Sequence, residues 1–146
     1  MAEVIVVNRC FTFNEDGLIL SIQRAKTDRH NPGLWEVPGG KLEEGQDLHG
    51  ALEREIIEET GFLIRSIDSL AHFESSVLGS DSNYSGTPYI VLFGLAEIIG
   101  GELTLSHEHD DSCWCTYEDF MKFDLTLECR KAAIVLKDRL VAMRVG

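Results

Sequence analysis

Glu55, Glu58 and Glu59 stand at positions i, i+3 and i+4 of a run of good helix formers. That spacing puts three carboxylates on one side of a helix with Cβ atoms about 5 to 6 Å apart, where like charges repel. Raised pKa values would relieve the repulsion, but a divalent cation relieves it better and can act on a substrate as well. Donors that are all oxygen select a hard ion, Mg²⁺ or Mn²⁺. The competing reading is a solvated acidic helix end with Arg54 paired to Glu58 at i+4, the usual fate of acidic runs.

The position of these acids argues against that blander reading. On a helix over residues 47–60, Leu48, Ala51, Leu52, Glu55, Ile56 and Glu59 fall into one stripe, with Glu58 at its edge. The first half of the stripe is apolar, as a packed face must be. Its second half carries glutamate where Leu or Ile belongs, and such local breaches of folding logic tend to mark function. Asp47 is suited to cap the start of this helix and Gly61 to end it in the left-handed conformation. The turn Pro38-Gly39-Gly40 just upstream signals unusual backbone.

The remaining elements must hold that helix and turn in place. Residues 3–13 and 18–23 read as a hairpin through Asn14-Glu15-Asp16-Gly17, and residues 34–37 as a short strand reached through the polar loop 27–33. Residues 63–77 and 89–99 read as β segments joined by a mobile Gly, Ser and Asn-rich loop, 79–86. The pair Gly100-Gly101 suggests a turn into a further strand, 102–105. An acidic, histidine-bearing loop at 106–111, a last strand at 112–116, a short helix at 117–123 and a second long helix at 127–143 complete the chain. Mixed strands with two long helices give α/β or α+β layering.

A chain of 146 residues without repeats or linkers is expected to form one domain, 1–146. Its 25 acidic against 13 basic residues, a net charge of -12, repel nucleic-acid backbone, which excludes duplex binding as a first expectation. No run approaches the roughly 20 apolar residues of a membrane span, and the first nine residues lack a basic and apolar leader, so the expectation is a cytoplasmic protein with no membrane partner. The four cysteines, Cys10, Cys113, Cys115 and Cys129, read as free thiols, with Cys113 and Cys115 on one face of a strand. A homodimer is permitted but not specified.

Taken together, Pro38-Gly39-Gly40-Lys41-Leu42-Glu43-Glu44-Gly45 and Arg54-Glu55-Ile56-Ile57-Glu58-Glu59-Thr60-Gly61-Phe62 resemble the signature of the Nudix hydrolases. Two positions depart from it: Gln46 stands where the family has glutamate, and Phe62 where it has an aliphatic residue. The likeness continues through Arg24, through Gly33-Leu34-Trp35-Glu36-Val37-Pro38, and through residues 106–116. It implies an α/β/α sandwich with a mixed sheet and a loop-helix-loop catalytic motif. It also implies hydrolysis of a diphosphate linkage in a small nucleotide-type substrate, with Mg²⁺ or Mn²⁺ held by Glu55, Glu58, Glu59 and the Gly39 carbonyl.

On this reading Arg54 supports the acids, and the general base is Glu108 or a carboxylate of the motif, with Glu108 preferred. A hydrated acidic loop is the plain alternative for His107, Glu108, His109 and Asp110. Arg24, Arg29 and Lys41 could meet phosphate oxygens, although solubility explains Arg29 as well. Trp35, Phe73 and Tyr89 could stack a base, although strand aromatics more often belong to a core. A nucleoside triphosphate is the preferred substrate. ADP-ribose or another nucleotide sugar, a dinucleoside polyphosphate, or a nucleotide-sensing domain made weak by Gln46 are the alternatives.

Overall fold

The computed structural model describes residues 4–77 and 86–143, so the loop expected at 79–86 falls, except for Gly86, outside the described residues. The chain runs β1 (Ile5–Phe13), β2 (Ile19–Arg24), β3 (Trp35–Glu36), β4 (Gly39–Lys41), α1 (Leu48–Thr60), β5 (Phe62–Val77), β6 (Pro88–Gly101), β7 (His109–Cys115), α2 (Tyr117–Phe120), α3 (Leu127–Val135) and α4 (Lys137–Ala142).

The opening hairpin forms as expected, but its strands stay together only at the turn, where Phe13 faces Ile19. Beyond it they part. β1 takes β6 as a parallel neighbour from Ile5↔Tyr89 to Phe13↔Glu97, and β4 as an antiparallel one on its other side. β2 instead pairs antiparallel with β3 and β7. In the mixed group β4-β1-β6-β5 the later half of β1 is buried on both faces, which is why Phe11, Thr12 and Phe13 are all inaccessible instead of alternating.

One face packs on α1, with Cys10, Phe62, Ile64 and Ala96 around Leu52 and Ile56. The other packs on α2 to α4, with Phe11, Phe13, Phe93 and Leu95 against Phe120, Cys129, Ala132 and Leu140. These layers form an α/β sandwich around a mixed sheet. Both ends of α1 are as expected: the Asp47 side chain accepts from the Gly50 amide at 2.8 Å, and Gly61 ends the helix at φ 81°. All four cysteines are free. Among the described residues no helix is long and apolar enough to cross a membrane.

Two expectations need correcting. Residues 102–105 form no strand, because β6 runs on through Gly101 and the amides that follow turn to the end of α1: Thr104 N donates to Thr60 O at 2.8 Å and Ser106 N to Glu59 O at 3.0 Å. These bonds satisfy carbonyls that a helix end leaves open. The long C-terminal helix is broken at Leu136 (φ -91°, ψ 8°), a bend that lets both Leu136 and Leu140 enter the core.

A Cβ on Gly61 would collide with the Glu102 carbonyl as well as strain a positive φ. Gly61→Ala is therefore expected to destabilise the fold by more than Asp47→Ala, which removes one capping bond worth about 1 kcal/mol. Urea unfolding of the two variants checks the order, and the reverse order would contradict this account of how α1 ends.

Candidate active site

Glu59 lies on the core side of α1 and is only 7% exposed. Its Oε1 accepts from the Gly39 amide at 2.6 Å, and its Oε2 stands 3.6 Å from His109 Nδ1. Burial pushes its carboxyl up to about 7, with Glu36 adding to the rise and Arg9, His109 and the Gly39 amide opposing it. The helix has thus carried a carboxylate into the interior without giving it a full counter-charge.

Behind it sits a second buried acid that sequence reasoning did not single out. Glu36 on β3 is 1% exposed and serves as a hub. Arg9 Nη2 lies 3.3 Å from its Oε1, and Arg24 Nη1 and His109 Nε2 lie 3.1 and 3.2 Å from its Oε2. Burial alone would raise the Glu36 carboxyl, but Arg9, the His109 hydrogen bond and Arg24 outweigh it and hold it below the usual range. Arg9 is held charged in return: burial works against it, and Glu36 and Glu59 overcome that. A signal was available, since Arg9 and Glu36 are lone charges inside apolar strands, which is costly unless such charges meet.

The expected site residues divide between these surroundings. Arg24, expected to reach phosphate, gives its guanidinium to internal partners: Glu36, the His30 carbonyl at 2.8 Å and Asp28 at 2.8 Å. Trp35 stacks on Phe123 at 4.4 Å and so belongs to the packing of β3. Tyr89 is half-buried at the start of β6 and donates its hydroxyl to Glu128 of α3. Lys41 is exposed at the end of β4 opposite Val7, and Arg29 and Phe73 are exposed. The expected loop 106–111 is shorter than its sequence suggests, because pairing with β2 starts β7 at His109; His109 is buried there, and His107, Glu108 and Asp110 are exposed.

Glu55 is half-buried, and its carboxylate lies over Gly40 where any Cβ would collide with it. A Cβ on Gly39 would strike the Asn8 carbonyl and the backbone of Arg9, to which β4 is paired. Gly39 is thus required for close approach to β1, whereas the clash at Gly40 is with the end of the Glu55 side chain, which can turn away. Burial raises the Glu55 carboxyl, and so do the charges of Glu58, Glu108 and Glu43, with Arg54 opposing.

Glu58 does not converge with the other two: it is 59% exposed and turned to Arg54, whose Nε is 3.6 Å away, while Arg54 Nη2 stands 3.8 Å from Glu55. Among the described residues, no three His, Cys, Asp or Glu side chains gather closely enough to grip a metal in this conformation. The physical reason is the repulsion itself, which Arg54 relieves by drawing Glu58 outward. Gln46 accepts from the Glu43 amide at 2.8 Å and closes the turn before α1.

The donor set nonetheless fits a hard divalent ion. It is all oxygen, it carries excess negative charge at Glu55, and the bare backbone of Gly39 and Gly40 lies between Glu55 and Glu59.

A profile of the NUDIX domain family matches residues 5–135. The nucleoside triphosphatase NudI of Escherichia fergusonii is 25% identical over 126 residues, covering 84% of this chain and 89% of that protein. The CTP pyrophosphohydrolase of Escherichia coli K12 is 30% identical over 132 residues, covering 90% and 87%. The crystal structure of the MutT protein from Methanosarcina mazei Go1 superposes with a TM-score of 0.80 at 24% identity, over 94% of this chain and 96% of that one, a likeness of fold.

Because burial favours the protonated form of Glu59, the folded protein loses stability as pH rises from about 4.5 to about 7. The loss is on the order of 3 kcal/mol once ionisation is complete. In the presence of a chelator, Glu59→Gln is expected to melt above the wild type at pH 8 and alongside it at pH 5. Equal melting at both values would show that Glu59 carries no such strain.

Proposed function

The chain belongs to the Nudix family, a hydrolase family acting on phosphorus-containing anhydrides, and on that footing we propose a divalent-metal-dependent pyrophosphohydrolase of nucleoside triphosphates, formed by a single domain. The observation that carries the reading is the pair of inward carboxylates on α1, Glu59 tied to the Gly39 amide and Glu55 laid over Gly40. Glu55, Glu58, Glu59 and the Gly39 carbonyl would hold Mg²⁺ or Mn²⁺. Bound there, the ion would neutralise the diphosphate and lower the pKa of a coordinated water.

The chain's own groups do the rest. The Gly39 amide fixes one oxygen of Glu59, so that the carboxylate is oriented before substrate arrives. Glu108, exposed on the loop before β7 and close enough for its charge to act on Glu55, takes the proton of the attacking water as general base. Arg54 holds Glu58 outside the cluster until Glu58 is needed. Lys41 extends from the same short strand as Gly39 and meets phosphate oxygens. Of the two aromatic candidates, Tyr89 keeps its ring free of the stacking that engages Trp35 with Phe123, and it is the one assigned to the nucleoside. Arg24 acts indirectly, through Glu36.

Support for a nucleoside triphosphate comes from the two relatives, both named for such substrates and both covered over most of their length. Four free thiols suit a reducing compartment such as the cytoplasm. Gln46 motivates one other reading, a sensor that binds nucleotide in a metal-dependent way without releasing phosphate.

Nucleoside triphosphates, ADP-ribose and dinucleoside polyphosphates, each assayed with Mg²⁺ and Mn²⁺, separate these readings, with monophosphate and pyrophosphate as the expected products of the first class. Glu59→Gln should fold and lose turnover by on the order of 10³-fold. Unchanged turnover in that variant would reject the assignment.

A further inference from the structure

We propose that His109 is a positioning residue: braced by Glu36, its imidazole fixes the second oxygen of Glu59 and thereby sets the affinity of the site for a divalent ion. This rests on the reading of Glu59 as a metal ligand given above.

The Gly39 amide restrains only Oε1 of Glu59, at 2.6 Å. Rotation about the last side-chain bond is softly restrained and turns both oxygens together, so a single bond at Oε1 leaves the plane of the carboxylate only loosely set. The ring of His109 stands in that path, with Nδ1 3.6 Å from Oε2, and the side chain is 1% exposed.

The ring is itself held from behind. Glu36 lies between Arg9 and Arg24 and is ionised, so it can only accept hydrogen bonds, and the proton on the shared edge belongs to His109 Nε2, which donates to Glu36 Oε2 at 3.2 Å. That bond fixes which edge of the imidazole faces Glu59. Ser106 Oγ, 3.2 Å from Nδ1, completes the setting.

Glu36 cannot easily shift in its turn. Arg9 is tied to the Val37 carbonyl at 3.1 Å, and Arg24 to the His30 carbonyl and Asp28. At the backbone His109 pairs with Arg24 across β2 and β7, and its amide donates to Ser106 O at 3.1 Å. A line of charged contacts therefore runs from β1 and β2 through β3 and β7 to one carboxylate of α1. Polar groups that orient a metal ligand from behind in this way are typically worth 10- to 100-fold in affinity.

The test is direct Mn²⁺ binding to the whole chain, read as free Mn²⁺ by electron paramagnetic resonance, together with melting in chelator and turnover across a Mn²⁺ titration. His109→Phe keeps a ring of similar size without either nitrogen, and His109→Asn is too short to span the two carboxylates. Both are expected to bind Mn²⁺ about 10- to 100-fold more weakly, and raising Mn²⁺ should restore most of their turnover, which a damaged fold would not allow. If His109→Phe does not fold, His109→Asn is judged by the same criterion. Wild-type Mn²⁺ affinity in a folded variant overturns the positioning role, provided that Glu59→Gln loses Mn²⁺. If Glu59→Gln also binds Mn²⁺ as the wild type does, the ligand assignment beneath the inference falls with it.

Discussion

The hydrogen bond from the Gly39 amide to Glu59 is the constraint on which the rest of the site depends. It joins the first residue of β4 to the last turn of α1, two segments 20 residues apart in sequence. It does so inside the protein, where an ionised carboxylate without partners is costly. A buried acid in the middle of an apolar stripe is poor folding design unless something else needs it there. The fold tolerates Glu59 by giving it one amide, the edge of one imidazole and the more distant charge of Arg9, and these leave its proton affinity raised. What remains unsatisfied is an attraction for a cation.

The architecture can be read as the means of producing that arrangement. β1 and β2 part after a single facing pair, which lets β4 lie along β1 and places Gly39 and Gly40 under α1. β3, on the other branch, carries Glu36 toward the same spot from the side, and β7 brings His109. Residues 102–106 use their amides to close the end of α1, so the helix turn that bears Glu58 and Glu59 is tied to the loop that leads to Glu108 and His109. Each branch of the parted hairpin therefore delivers a different part of the site.

The helix was legible from sequence because its information is local: a capping aspartate, a terminal glycine and a period of 3.6 with acids in the wrong half. The parts that sequence reasoning missed are the non-local ones. Nothing near Arg9 or Glu36 in the chain says that they meet, because their pairing is set by the parting of β1 from β2. Arg24 stands out in the sequence as a cation upstream of the motif, but only the fold shows that Glu36 lies beside it. Residues 102–105 have the composition of a strand, yet their amides had stronger claimants at the end of α1. His109 could not be told from its exposed neighbours His107 and Glu108 without the register of β7 on β2.

The outward turn of Glu58 bears on how such a site would load. Arg54 stands between Glu55 and Glu58 and draws both weakly toward solvent, at distances typical of exposed pairs worth under about 1 kcal/mol. Against that stands the burial of Glu55 together with the repulsion it feels from Glu58, Glu108 and Glu43, which raises its proton affinity. A doubly charged ion arriving near Gly39 would add an attraction to each of these carboxylates that outweighs their mutual repulsion, while Arg54 offers little resistance to releasing Glu58. The half of the site built around Glu59 is buried and braced, and the half around Glu58 is exposed and loosely paired. A fixed ligand beside adjustable ones suits an ion that must share its coordination with a diphosphate and then let the products go.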